Sequence, residues 1–139
     1  MKVINPVLPG FNPDPSLVRV GDDYYIATST FEWFPGICIH HSKDLVNWEI
    51  LSYALTDETK FDIKGMDTAC GIWAPNLTYD NGTFYLIYTI VYTNRHRFKD
   101  THNFMVTATD PQGPWSAPIP LNKICLLYTS PSPRDRSLS

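Results

Sequence analysis

Pro15-Ser-Leu-Val-Arg-Val-Gly-Asp-Asp-Tyr-Tyr-Ile26 and Pro75-Asn-Leu-Thr-Tyr-Asp-Asn-Gly-Thr-Phe-Tyr-Leu86 are the two stretches that decide the fold. Each runs proline, apolar strand, acidic turn, aromatic strand. They lie 60 positions apart, so that Pro15, Leu17, Tyr24, Tyr25 and Ile26 fall on Pro75, Leu77, Phe84, Tyr85 and Leu86. The turns Gly21-Asp22-Asp23 and Asp80-Asn81-Gly82 have a mechanism, because Gly and Asn accept positive φ. Downstream, His41-Ser-Lys-Asp-Leu-Val-Asn-Trp48 matches Thr107-Ala-Thr-Asp-Pro-Gln-Gly-Pro-Trp115 with one extra residue, so each copy ends on an Asp-led turn and a tryptophan. Four short strands in about 60 residues is the pattern of a β-propeller blade.

Around these copies, further β-branched and aromatic runs predict strands over 16–20, 24–29, 37–41, 48–53, 76–79, 83–92 and 104–109. Twelve prolines and seven glycines, with no amphipathic helical window, argue against helices. The fold class is all-β, and the repeat gives two blades. A closed propeller needs about four or more, so the chain is expected to be an incomplete one.

The 139 residues are 43% apolar and 14% aromatic, enough to build a core. A net charge of −3 is a poor footprint for nucleic-acid binding. No apolar run approaches the roughly 20 residues of a membrane span, and MKVINPVLPG does not read as a secretory leader, so a cytoplasmic location is expected. Cys38, Cys70 and Cys125 are widely spaced, and His40, His41, His96 and His102 lack ligand spacing. Neither a disulfide framework nor a metal site is expected, and no cofactor.

Most acidic residues have structural explanations. Asp22, Asp23, Asp80, Asp44 and Asp110 sit in turns, and Asp57, Glu58, Asp62 and Asp67 in a polar connection between blades. Arg95, Arg97 and Lys99 beside His96 read as a solvated loop. Asp14 differs, standing between Pro13 and Pro15. Pro15 should push it towards extended geometry, presenting a carboxylate with little freedom, as a positioned base requires; a rigid strand entry explains the prolines equally well. Phe31-Glu-Trp-Phe-Pro-Gly36 and Gly71-Ile-Trp-Ala-Pro75 place bulky rings in connecting segments. Phe31 and Trp73 suit the C–H face of a sugar at a pocket mouth, whereas Trp33, Trp48 and Trp115 are expected to pack between blades. Asn76-Leu-Thr78 and Asn81-Gly-Thr83 fit the glycosylation pattern without other support.

Four motifs in order carry a resemblance to a known family: Pro6-Val-Leu-Pro-Gly-Phe-Asn-Pro-Asp-Pro-Ser16, Ser29-Thr-Phe-Glu-Trp-Phe-Pro-Gly36, His41-to-Trp48 and Gly71-Ile-Trp-Ala-Pro75. Over residues 1–124 the chain resembles glycoside hydrolase family 43, in particular its β-xylosidase branch. The resemblance implies a five-bladed β-propeller, with a C-terminal β-sandwich in that branch, and an inverting hydrolase that releases terminal xylose from xylo-oligosaccharides, with α-L-arabinofuranosides as a second substrate class. It further implies that Asp14 is the general base and that Phe31 and Trp73 line the terminal-sugar pocket. The family's pKa-tuning aspartate and general-acid glutamate have no counterpart in this chain. The aspartate would be expected just after Leu121-Asn-Lys-Ile124, where Cys125-Leu-Leu127 stands. The run CLLYTSPSPRD resembles one reading frame of a transposon adapter used to prepare sequencing libraries. Residues 125–139 are therefore expected to be a non-native, unstructured tail. The alternative reading, from another class, is a non-catalytic propeller module that binds sugars or proteins.

Overall fold

The structure, a computed structural model, describes residues 3–57, 60–93, 95 and 100–122. The expected tail over 125–139, Glu58, and the loop residues His96, Arg97 and Lys99 lie outside the described residues. Those described form two four-stranded antiparallel sheets and no helix. The first holds β1 (Ser16–Val20), β2 (Asp23–Thr28), β3 (Gly36–Ser42) and β4 (Glu49–Leu55), in that order. The second holds β5 (Gly71–Asp80), β6 (Thr83–Thr93), β7 (Asp100–Ala108) and β8 (Ile119–Asn122).

Both hairpins of the repeat form as their turn residues require. Val20 pairs with Asp23 across Gly21, whose φ is +60°, and Asp80 pairs with Thr83 across Asn81 and Gly82, at +46° and +81°. Two consecutive positive φ values are the signature of the type I′ turn, whose twist matches that of the flanking strands. The Asp-led turns are equivalent too. In the first, Asp44 Oδ1 accepts from Val46 and Asn47 N–H; in the second, Asp110 Oδ1 accepts from Gln112 N–H. These bonds hold the Asp44 carboxyl well below the usual carboxylate range.

One face of each sheet packs against the other. Ala27, Ile37 and Ile39 meet Ile72, Leu77, Phe84, Leu86, Tyr88, Ile90 and Val106 in a single buried cluster. The period of two puts Phe84, Leu86, Tyr88 and Ile90 on the same side of β6. Tyr25 seals the seam, edge-on to Phe84 with centroids 5.4 Å apart. Since each buried Leu, Ile or Phe contributes roughly 1.5–3 kcal/mol, this shared core makes the two sheets one cooperative unit. Ser52 adds a polar tie, donating to Pro111 O at 2.7 Å.

Several expectations are corrected. Gly71–Pro75 is not a connecting segment but the start of β5, where Trp73 pairs with Thr89; a bulge follows before Asn76. The bulge interrupts the strict alternation that marks a strand, which hid this part of β5. β8 was not anticipated, because Ile119-Pro-Leu-Asn122 is short and carries a proline. The connection between sheets is not simply polar: Ile63 is buried in the core, and Phe61 and Met66 pack against it. Arg95 is exposed, as expected of a solvated loop, but its guanidinium also grips both Asp67 carboxylate oxygens at 2.6 Å. Trp115 packs against the core as expected, but Trp33 is 66% exposed and packs between no blades. Cys38 and Cys70 are buried free thiols, and burial raises the Cys38 pKa.

His40 and His41 lie within β3. His40 is buried near Thr28, and desolvation lowers its pKa. His41 bridges strands, with Nε2 2.6 Å from Asp23 Oδ1 and Nδ1 3.3 Å from Glu49 Oε1. Asp23 therefore does more than shape a turn: the bonds from His41 and Lys43 lower its pKa.

Candidate active site

Asp14 precedes β1, and its backbone is not extended. Its φ is +51°, in the left-handed region, so the expectation drawn from Pro15 fails for this dihedral. Asp is among the residues that tolerate this region, at a cost of order 1–3 kcal/mol, and the conformation persists only where neighbours enforce it. Ser29 is that neighbour. Its backbone N–H donates to Pro13 O at 3.0 Å, and its hydroxyl donates to Asp14 Oδ2 at 2.7 Å. Asp14 is exposed, and its Oδ1 has no hydrogen bond among the described residues, so one carboxylate oxygen is pinned and the other is open.

The same hydroxyl reaches the second sheet, accepting from Ala74 N–H at 2.8 Å. The bulge makes this possible, since it removes Ala74 N–H from the ladder between β5 and β6. Ser16 Oγ likewise accepts from Leu77 N–H at 2.9 Å. Asp14 is thereby brought, through one serine, beside the residue that follows Trp73.

Phe31 leaves β2 and makes an isolated bridge with Ile72 of β5, through Phe31 N–H to Ile72 O at 3.0 Å and Ile72 N–H to Phe31 O at 2.9 Å. This sets the two rings together: Phe31 and Trp73 meet edge to face with centroids 5.7 Å apart, and Phe11 extends the row at 5.7 Å from Phe31. Trp73 is steered from below, since its Nε1–H donates to Ala69 O at 2.9 Å while Glu32 Oε2 accepts from Ala69 N–H at 3.2 Å. Of the seven non-glycine residues with positive φ among those described, Asp14, Phe31, Ala69 and Ala74 belong to this one end of the sheets. Strain gathered in this way marks a site whose geometry the surrounding structure over-determines.

The close approach of the two sheets here depends on Gly71. Its φ is +93°, and a Cβ would lie 2.3 Å from Phe31 O. Gly71→Ala should therefore destabilise the protein by about 3 kcal/mol or more, from the disfavoured dihedral and the clash with backbone that cannot yield. Denaturant unfolding of the full-length protein measures it. A change under about 1 kcal/mol would show that the Phe31–Ile72 bridge tolerates displacement.

The structure thus brings together Asp14, Phe31 and Trp73, the three site residues read from the sequence. Sequence reasoning missed Ser29 and Glu32. Both lie inside a quoted motif, but a serine and a glutamate in a loop have many ordinary uses, and nothing in their spacing reveals hydrogen bonds to residues 45 and 37 positions away. Chemically, the arrangement can hold a flat, partly apolar ring against aromatic faces and accept a proton from water at its edge.

Two four-stranded antiparallel sheets, packed face to face in chain order with an aromatic-lined carboxylate at one end, define successive blades of a β-propeller. The chain belongs to glycosyl hydrolases family 43, whose family model matches residues 3–128. Xylosidase/arabinosidase 43B of Humicola insolens is 56% identical over 121 residues, covering 87% of this chain and 22% of that protein. A β-xylosidase of Bacillus subtilis is 56% identical over 122 residues, covering 88% and 23%. Among solved structures, the xylan β-1,4-xylosidase of Bacillus halodurans superposes with a TM-score of 0.85 at 61% identity, covering 88% of this chain and 23% of that one. The chain thus spans 22–23% of the length of these relatives.

Proposed function

We propose that the protein to which this chain belongs is an inverting glycoside hydrolase that releases terminal xylose from β-1,4-xylo-oligosaccharides, with α-L-arabinofuranosides as a second substrate class. The observation that carries this reading is the Asp14 carboxylate, pinned through Oδ2 by Ser29 and open at Oδ1, in the same corner as Phe31 and Trp73. In the proposed reaction the terminal sugar lies against the aromatic pair. Asp14 takes a proton from a water as its oxygen attacks the anomeric carbon, while a carboxylic acid on the opposite face protonates the departing glycosidic oxygen. An inverting pair stands roughly 6.5–9.5 Å apart, leaving room for that water. The acid is proposed to come from a part of the protein outside this chain, as is the aspartate that tunes it. Glu32, the other carboxylate of this corner, is engaged with Ala69 N–H and serves Trp73 instead.

Hydrolysis of an aryl β-D-xyloside by the full-length protein, followed by proton NMR, tests the proposal. The expected first product is α-xylose, which then mutarotates; an aryl α-L-arabinofuranoside is expected to be cleaved with inversion as well. β-Xylose as the first product would contradict the inverting mechanism, and no cleavage of either glycoside would contradict the substrate class.

A further inference from the structure

We infer that Ser29 is a positioning residue for the reaction, a single hydroxyl that aims the Asp14 carboxylate and locks it to the β5 bulge that carries Trp73. The inference rests on the proposed role of Asp14 as general base and goes beyond it.

Ser29 directly follows β2 and is 1% exposed, so bulk solvent does not reach its hydroxyl. It carries one donor and acceptor lone pairs, and both functions are used: the donor on Asp14 Oδ2 at 2.7 Å, an acceptor site on Ala74 N–H at 2.8 Å. The two bonds are chemically coupled. Accepting from the Ala74 amide polarises the O–H, and donating to a carboxylate makes it the stronger, charge-assisted kind of bond. The geometry of base and platform is then one object. Asp14 sits in a left-handed conformation it would not hold alone, Ala74 sits in another at φ +43°, and Ser29 is bonded to both. Its backbone N–H also fixes Pro13, so the segment before β1 is held on two sides.

An oxygen that must lie within hydrogen-bond reach of one particular water loses rate steeply when it swings away. A purely structural serine would have no such selectivity. Loss of a hydrogen bond to a charged group corresponds to roughly a tenfold to hundredfold effect. Ser29→Ala in the full-length protein should therefore lower kcat on aryl xylosides by about that factor, with KM changed less than threefold. The loss should also be equal for aryl leaving groups of high and low pKa. A defect on the water side slows all of them alike, whereas a damaged acid side would penalise poor leaving groups most. Independently of activity, hydrogen exchange at the Ala74 amide should accelerate about tenfold or more, because the hydroxyl that accepts from it is gone.

Asp14→Asn serves as the companion variant. If Asp14→Asn is inactive while Ser29→Ala keeps full kcat, the positioning role is overturned and the base assignment stands. If Asp14→Asn retains full activity, the base assignment fails and the inference with it. A rise in KM as large as the fall in kcat would reduce Ser29 to general packing and overturn it as well. Should Ser29→Ala not fold, Ser29→Cys nearly preserves the volume but offers only a weak donor, and the same split between kcat and KM is expected from it.

Discussion

Replacing Asp14 with asparagine in the full-length protein is expected to lower kcat on an aryl β-D-xyloside by about 10²–10⁴-fold while leaving KM within a few-fold, since general acid–base assistance contributes that much per group. Asparagine keeps the shape and can still accept from Ser29, but its amide cannot take a proton from water. The aromatic pair of Phe31 and Trp73 is untouched by the change, which is why binding should persist. Steady-state kinetics on one aryl xyloside decides it. Loss of binding with an unchanged kcat would mean that Asp14 holds the sugar rather than activating the water.

The second large effect concerns the chain by itself. Residues 1–139 expressed alone should hydrolyse the same xyloside at least about 10⁴-fold more slowly than the full-length protein. One carboxylate can accept a proton, but the proposed mechanism draws its general acid and part of the sugar pocket from outside this chain, so here the departing oxygen would leave unprotonated and the sugar would be poorly oriented. The first sheet also leaves Leu17 and Ile50 more than half exposed on the side away from the shared core, so the isolated chain should associate more readily than the full-length protein. Side-by-side assays, with light scattering on both samples, check the two halves of this prediction. Comparable activity would show that the chain holds a complete catalytic apparatus.

The fold was legible because its signal is local and repeated. The 60-residue offset, the Asn81-Gly82 turn and the β-branched and aromatic run over Thr83-to-Tyr92 each act through near neighbours, and each forms as read. What the sequence hid depends on contacts between distant segments. The bulge at Ala74-Pro75 breaks alternation and conceals the first half of β5; the left-handed Asp14 runs against the local preference of a residue before proline; the Arg95–Asp67 grip joins two loops that composition alone reads as solvated. For the site, the proline frame marked Asp14, and ring size in a glycine- and proline-flanked setting marked Phe31 and Trp73. Ser29 and Glu32 stayed invisible because their partners are assembled only when the two sheets dock.

The most direct test of Asp14 as the water-activating base is azide rescue of Asp14→Gly in the full-length protein. Glycine opens the space the carboxylate filled, and azide, already an anion, needs no proton removed before it attacks the anomeric carbon from the water's side. With an aryl β-D-xyloside, sodium azide should restore the rate substantially and yield α-D-xylosyl azide, identified by NMR. Formation of the β-azide, or no recovery although the variant is folded and binds xylose, would contradict the assignment.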